Sequence, residues 1–483
     1  GRTGRNQERK QGKEKRSEMD NIFEFKKREQ TDIDYPSLIK VKLKMQNNQS
    51  IFETLENIKW DFKDSQTQYL THKYHSYPAR FIPQIPSVFI QLFTKEGDYV
   101  LDPFCGCGTT LVESVLLGRN SIGNDFNPLA TLLTKVKTTQ MSDIQLAKIH
   151  NLIGDIREKI KNNHLKEEDL PKLPSRNISM LFSKEMLKEL QVIKNAINEI
   201  KKKDSDLYDY LLIGLSATIR AIIESENGEN IIGIFERKIK NMNNIMKEYR
   251  ENISHNVITK IINGDARKLN IPSNSVDLII TSPPYVNALD YYRVHMYNML
   301  WLGMDYHIFK LNEIGGHSHF LTNRFRLLSE YLGDMLRAMI EMNRVLKKGK
   351  VCAIVVGNSS IDYELIESYK FFVDMSKYIG FEIRKTLFRK IDKTSKYFVN
   401  GQIDDEYIIV LEKIKDWEHN AEDEAFIASI VEKQMLKFKE NVNKNPGSST
   451  RGKPVTKERL KYNLVKIDEA IKNIKSDIKI RGV

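Results

Sequence analysis

The sequence predicts an α/β protein built on a mostly parallel sheet, and three observations lead there. Short apolar runs of strand length recur, and several end on an acidic or polar residue. A glycine-rich loop follows the first of them and opens a helix. The last two runs stand close enough in the chain to pair antiparallel at a sheet edge.

Residues 1–50 form a polar N-terminal segment expected to be flexible, and they are set aside from the fold. Gly1 to Asp20 is basic and has no apolar stretch of a secretory signal, and Met19 is a candidate natural start. The first part of the main domain is expected over 51–139. It holds Tyr77-Pro78-Ala79-Arg80-Phe81, an apolar helical run from Val88 to Phe93, and a strand at Tyr99-Val100-Leu101. That strand enters Asp102-Pro103-Phe104-Cys105-Gly106-Cys107-Gly108-Thr109-Thr110. A helix from Leu111 to Leu117 stops at Gly118, and a second strand, Ser121-Ile122-Gly123, ends on Asn124-Asp125. Together these make one βαβ unit.

Residues 140–255 read as a charged helical insertion. Phe182 and Leu187 flank Ser183 as a hydrophobic staple around an N-cap. Leu187, Leu190, Ile193, Ile197 and Ile200 then mark one helical face. Further helices are expected near 205–224 and 230–252, with Gly228 between them. The second part of the main domain spans 256–415: strands at Val257–Ile262, ending on Asn263-Gly264-Asp265, then at 276–281, Val351–Val356, 381–390 and Glu406–Leu411. A basic helical tail occupies 416–483 and breaks at Asn445-Pro446-Gly447-Ser448-Ser449. Beyond the break, Leu460, Leu464, Ile467, Ile471, Ile474 and Ile478 form a short heptad seam, too short to favour a coiled coil over docking on its own chain.

Charge and cysteines narrow the function classes. The net charge is +12, and residues 431–483 hold 14 Lys/Arg against 6 Asp/Glu. A polyanionic partner is favoured, nucleic acid above membrane, against the plainer reading of a solvated tail. No apolar run reaches the ~18 residues of a membrane span. Three cysteines, Cys105, Cys107 and Cys352, give no disulfide framework and point to a reducing cytoplasm. No metal site is expected: Cys105-x-Cys107 has no companion ligands at suitable spacing, and His317 and His319 read as a solvated loop.

The chemistry-bearing residues cluster at predicted strand ends. The Gly loop lacks the third glycine of a dinucleotide fingerprint, so alone it is weak evidence. It does follow an acid, Asp102, and precede a helix N-terminus; Asp125 and Asp265 close two further strands. Each Asp singly reads as a cap or turn residue. Jointly they describe a nucleoside lying across the crest of a parallel sheet, with Asp125 placed for ribose hydroxyls and Asp265 for an adenine amino group. Thr281-Ser282-Pro283-Pro284-Tyr285 ends the strand at 276–281. Its prolines fix φ and supply no N–H, so a hydroxyl, free carbonyls and an aromatic face stand together. Such a loop can grip a planar base by its amino group; it can also be a plain Pro-Pro turn.

Asp102-Pro-Phe-x-Gly-x-Gly-Thr-Thr110 together with Thr281-Ser-Pro-Pro-Tyr285 resembles the S-adenosylmethionine-dependent DNA amino-methyltransferases, the N4-cytosine and N6-adenine enzymes. The similarity runs from about Tyr69 to Glu412, with His75 to Phe81 resembling the segment that cradles the methionine end, where Lys-Pro is commoner than Arg80-Phe81. The resemblance implies a Rossmann-like methyltransferase fold: a mostly parallel seven-stranded sheet with an antiparallel edge hairpin, here with a helical insertion and helical tail. It implies that S-adenosylmethionine is held by Arg80, Asp102, Phe104, Gly106, Gly108, Thr109, Thr110, Asp125 and Asp265, and that Ser282, Pro283, Pro284 and Tyr285 meet a flipped base. The implied substrate is double-stranded DNA, and the implied partner a cognate restriction endonuclease acting on the same sequence. Ser at the first catalytic position leans toward cytosine N4; adenine N6, an RNA amino group and a non-enzymatic nucleic-acid-binding role are the alternatives. Cytosine C5 chemistry is not expected, because the chain contains no Pro-Cys. The cofactor loop precedes the catalytic loop, unlike many members with Ser-Pro-Pro-Tyr, and the insertion at 140–255 is the candidate target-recognition region.

Overall fold

Apolar side chains alternate along the central strands so that both faces are covered. Val100, Leu278, Ile280, Val351, Ala353, Val355, Ile408 and Val410 enter one core, while Leu101, Ile279, Cys352, Ile354, Val356, Ile409 and Leu411 enter another. A strand buried on both faces reads as a nearly continuous apolar run, which is why these segments stand out in the sequence. The structure is a computed structural model that describes residues 51–479 apart from 64, 163–164, 167–169, 171–181, 225–229, 254–255, 288, 317–319, 392–404 and 448–453. The N-terminal segment, Gly228, His317, His319 and part of the 445–449 break lie outside the described residues.

Seven strands form one sheet: β1 (Tyr99–Asp102), β2 (Asn120–Asp125), β3 (Thr259–Asn263), β4 (Val276–Thr281), β5 (Leu346–Gly357), β8 (Phe381–Lys390) and β9 (Asp405–Lys413), with the short hairpin β6 (Ser359–Ile361) and β7 (Glu364–Ile366) apart. Their order is β3-β2-β1-β4-β5-β9-β8. β3 to β5 pair in parallel, and β9 runs antiparallel to both β5 and β8. This is the expected parallel sheet with an antiparallel edge. The order reverses between β1 and β4, and at such a switch point the loops diverge and leave a crevice at the strands' carboxyl ends.

Helices α1 (Ile51–Glu56) and α2 (Gln84–Phe93) cover one face. α3 (Thr109–Leu116) and α4 (Pro128–Thr138) flank the β1–β2–β3 side. The insertion supplies α5 (Asp143–Lys161), α6 (Lys184–Asn198), α7 (Ser205–Ile223) and α8 (Ile231–Glu251). Ser183 caps α6 by accepting from the Met186 amide at 3.2 Å. Leu190, Ile193 and Ile197 on its apolar face are fully buried, and Leu187 and Ile200 pack beside them. That core also holds Val112 and Val115 of α3 and Leu129 and Leu133 of α4, so the insertion grows out of the sheet's own flank. α9 (Tyr291–Leu302) joins it through Tyr292, Met299 and Trp301, and α10 (Tyr306–Asn312) follows.

The opposite flank carries α11 (Arg324–Val345) and α12 (Ser368–Ser376), with the C-terminal helices α13 (Glu424–Lys444), α14 (Lys457–Lys472) and the one-turn α15 (Ile474–Asp477). The heptad seam docks here on its own chain. Ile467, Ile474 and Ile478 are buried, and a Cβ at Gly333 of α11 would stand 2.8 Å from Ile478. Arg326 clasps Asp477 at 2.6 Å, and Arg337 donates to the Ile478 carbonyl at 2.9 Å. Among the described residues no helix is long and apolar enough to cross a membrane.

Candidate active site

The glycine loop leaves β1 and is clamped from three sides. The Cys105 amide donates to the Asn124 carbonyl at 3.0 Å, Gly106 N–H to Asp125 Oδ2 at 2.8 Å, and Thr134 Oγ1 to the Gly106 carbonyl at 3.0 Å. Gly108 stands at φ +82° where α3 begins, and a Cβ there would lie 2.8 Å from Thr134 Oγ1. Only glycine meets both demands.

A cleft opens above this loop, lined by Arg80, Phe104, Gly106, Thr109, Asp125, Asp265, Ser282 and Pro284 among the expected residues. Asp102, Gly108 and Thr110 stand behind the cleft wall instead of on it. The reason for Asp102 is hydrogen bonding: Oδ1 accepts from Thr281 Oγ1 at 2.6 Å and from the Phe104 amide at 3.1 Å, and Oδ2 from Thr110 Oγ1 at 2.7 Å. Burial pushes this carboxyl up to about 6, against the pull of the two hydroxyls and the amide. Asp102 therefore ties the β1 loop to the β4 loop and touches no ligand space.

Asp125 ends β2 at the cleft. Oδ2 takes the Gly106 amide and Oδ1 the Asn127 amide at 2.9 Å, and burial raises its carboxyl to about 6. Asp265 is gripped by Arg267, whose Nη2 lies 2.8 Å from Oδ2, while Nη1 of the same guanidinium reaches Asp334 at 2.9 Å. The fork fixes the direction of the Asp265 carboxylate where it faces the cleft.

At the end of β4, Tyr331 of α11 donates to the Pro284 carbonyl at 3.0 Å. The Pro283 carbonyl accepts no hydrogen bond among the described residues. Tyr285 donates to Glu406 Oε1 at 2.9 Å; Glu406, at the start of β9, is also paired with Arg389 of β8. Burial and that carboxylate hold the Tyr285 phenol well above the usual range, so it stays protonated.

Ser282, Pro283 and Tyr285 face a second, larger cavity of about 1080 Å³. Its other walls come from the 61–83 segment, from Ala217, Arg220 and Ala221 of α7, from Lys238 and Asn241 of α8, and from Arg389 and Lys390 of β8. The two spaces share Tyr77, Ala79, Arg80, Phe81, Ser282 and Tyr291. Tyr77 stacks on His295 of α9 with centroids 4.6 Å apart. The 72–81 segment is pinned where Arg80 donates to the His72 carbonyl at 2.8 Å, His72 Nε2 meets Glu113 Oε1 at 2.9 Å, and His75 meets Ser216 of α7 at 2.9 Å.

Sequence reasoning missed Glu406, Arg389, Asn124, Phe126 and Glu313, all of which stand at these walls. Tyr77 lies in the Tyr77–Phe81 segment already singled out, so its position carried a signal, whereas Tyr291 stands outside it at the start of α9. Cys105 and Cys107 are buried free thiols, and among the described residues no cluster of three or more His, Cys, Asp or Glu is placed to hold a metal ion.

The residues lining the cleft suit an adenosine-type ligand. Asp125 and Asp265 offer acceptors for hydroxyl and amino donors, and Phe104, Phe126, Pro284 and Ile314 offer apolar faces for a planar ring. Buried Asn124 Oδ1, Asn127 Nδ2 and Glu313 Oε2 have no partner there among the described residues.

Residues 5–134 and 276–471 match the DNA methylase family, leaving out 135–275, which hold the helical insertion, β3 and Asp265. The Type II methyltransferase M.MvaI of Kocuria varians is 32% identical over 252 residues, 46% of this chain and 55% of that protein. The chain thus spans little more than half the length of that relative. The Type II methyltransferase M.MjaII of Methanocaldococcus jannaschii is 24% identical over 454 residues, 72% of this chain and 84% of that protein. Among solved structures, a SAM-dependent methyltransferase of Methanosarcina mazei aligns at 12% identity and a TM-score of 0.28, over 70% of this chain and 99% of that one.

Proposed function

The chain belongs to the DNA methylase family, and from that premise we propose that it methylates an exocyclic amino group of a base in double-stranded DNA, cytosine N4 in preference to adenine N6. One observation carries the reading: Ser282 stands on the wall common to the cleft and the 1080 Å³ cavity, so a group held by Ser282 faces both. S-adenosylmethionine, bound in the cleft, supplies an electrophilic methyl group.

The protein's own residues then do four things. Arg80, Phe104, Gly106, Thr109, Asp125 and Asp265 hold the cofactor. The Ser282 hydroxyl and the unoccupied Pro283 carbonyl accept from the two N–H bonds of the target amino group. Its lone pair is delocalised into the ring, and these bonds draw it back onto nitrogen as positive charge develops there, which lowers the barrier more than it stabilises the ground state. The Tyr285 ring, braced by Glu406, stacks on a base taken out of the duplex, since a paired amino group is out of reach. No side chain need act as a strong base, because the methylated ammonium gives its proton to water.

The basic and amide side chains of α7 and α8 on the cavity wall support assigning target reading to the insertion. Because these helices share a core with α3 and α4, substitutions test this better than deletion does. Lys238→Ala with Asn241→Ala should relax sequence preference while leaving cofactor affinity within about twofold; unchanged preference would remove the insertion from target reading. The relatives' Type II naming supports a modification enzyme of a restriction–modification system, acting in the cytoplasm beside an endonuclease of the same specificity.

The deciding experiment is transfer of labelled methyl to duplex DNA, followed by nucleoside mass spectrometry. N4-methyldeoxycytidine is expected. N6-methyldeoxyadenosine would move the target to adenine, preferential labelling of tRNA would make the substrate RNA, and no transfer with intact DNA binding would favour a binding protein.

A further inference from the structure

Glu313, just past α10, lines the cleft together with Tyr291, Phe309, Asn312 and Ile314, and the reaction described above gives it no task. It is only 5% exposed. Oε1 accepts the amide N–H groups of Tyr291 and Tyr292 where α9 starts, the second at 3.3 Å. Oε2 is buried and has no hydrogen-bond partner among the described residues. It lies beside Gly316, where a Cβ would stand 3.0 Å away, so glycine keeps that side of the carboxyl uncrowded. A buried carboxyl oxygen left unsatisfied is costly, and the cost falls if the group is neutral or a ligand completes it.

We propose that Glu313 is a ligand-binding residue of the cleft, and that its protonated Oε2 donates a hydrogen bond to a ring nitrogen of the bound cofactor's adenine. This rests on reading the cleft as the S-adenosylmethionine site. Burial and the Asp290 carboxylate push Glu313 up to about 8, against the two α9 amides and the Arg293 guanidinium. The Tyr291 hydroxyl lies within the field of both Glu313 and Asp125 and itself stays protonated, and the Lys310 ammonium of α10 sits 5.2 Å over the Tyr292 ring. With Oε1 committed to two donors, the proton resides on Oε2. The other two carboxylates of the cleft, Asp125 and Asp265, accept when ionised and suit hydroxyl and amino groups, whereas an aromatic ring nitrogen needs a donor.

The test is calorimetric binding of S-adenosylhomocysteine to the full chain across the pH range around Glu313's titration. Affinity should hold up to about pH 8 and then fall, approaching tenfold per pH unit. Glu313→Gln, which keeps both an acceptor for α9 and a donor for the ligand, should bind within about threefold of wild type near neutrality and lose the alkaline decline. Glu313→Ala, checked for folding by unchanged DNA binding, should bind about tenfold more weakly at every pH. One of the 1-, 3- or 7-deaza analogues should bind wild type about tenfold more weakly yet bind Glu313→Ala as the parent compound does. Affinity that rises through pH 8, a Gln variant as weak as the Ala variant, or three deaza analogues that all bind like the parent would each overturn the proposal. Failure of S-adenosylhomocysteine to bind wild type at any pH would instead sink the reading of the cleft, and the role of Glu313 with it.

Discussion

β1 and β4 lie side by side and parallel, yet their carboxyl-end loops are built on opposite backbone chemistry. The β1 loop uses glycine: Gly106 and Gly108 take positive φ, and the loop's N–H and C=O groups are spent on Asn124, Asp125 and Thr134. The β4 loop uses proline, so amides are missing where they would pair with protein, and Pro283, whose carbonyl accepts no hydrogen bond among the described residues, lines the large cavity. One loop folds down around a ligand that arrives with its own donors; the other stands stiffly out to meet a base. Thr110 and Thr281 both donate to Asp102, so a single buried carboxylate sets the two loops against each other. The comparison teaches that cofactor grip and base grip are separable in their contacts and inseparable in their support.

The largest expected effect therefore comes from Asp102→Ala, which touches neither ligand. It leaves two buried hydroxyls and an amide unpaired, and should lower stability by ~2–4 kcal/mol in a denaturant titration. Cofactor affinity and turnover should fall together. Loss of one without the other would break the claim of common support. Next is Ser282→Ala, expected to cut kcat by about 10²-fold while S-adenosylhomocysteine affinity stays within about twofold. Weakened cofactor binding in that variant would mean that the β4 loop serves the cleft more than the base.

How far these loops were legible in the sequence follows from what each signal encodes. Nearly continuous apolar runs of strand length marked the strands, and Gly106-x-Gly108 and Pro283-Pro284 marked the loops, because glycine and proline act locally on the backbone. Residue type did not say where a side chain turns. Asp102 has the expected identity at the expected place, but its carboxylate faces two hydroxyls and not the cleft. Partners distant in sequence were out of reach too: Glu406 braces Tyr285 across 121 positions, with only a strand start to mark it. Glu313 follows a short helix with no motif around it. The insertion's apolar face at Leu190, Ile193 and Ile197 announced burial, but amphipathicity does not name the surface it covers, and that surface proved to be the flank of the sheet.

A smaller effect sharpens the base side of the comparison. Tyr285→Phe keeps the ring and loses only the bond to Glu406, so turnover should drop by no more than about tenfold. Tyr285→Ala removes the stacking face and should cost ~1–3 kcal/mol of base capture. Equal loss in both variants would assign the work to the hydroxyl, contrary to a stacking role.

The gentlest test acts on the cofactor side through pH. Asp125 must be ionised to accept from ribose hydroxyls, and burial raises its carboxyl to about 6 in the free protein. Protonation therefore competes with the ligand, so affinity for S-adenosylhomocysteine should decline as pH falls through about 6 and recover above it. Asp102 also titrates near 6 and is raised in part by Asp125, so the acid limb belongs to the pair and its midpoint is a shared value. Asp125→Asn separates them. It should weaken binding by about tenfold near neutrality and flatten the acid limb, leaving whatever Asp102 contributes through the loop. If the limb persists at full depth in that variant, the carboxylate that senses acid is the one joining the two loops. The β1 and β4 loops would then respond to pH together, and turnover should follow affinity down the same slope.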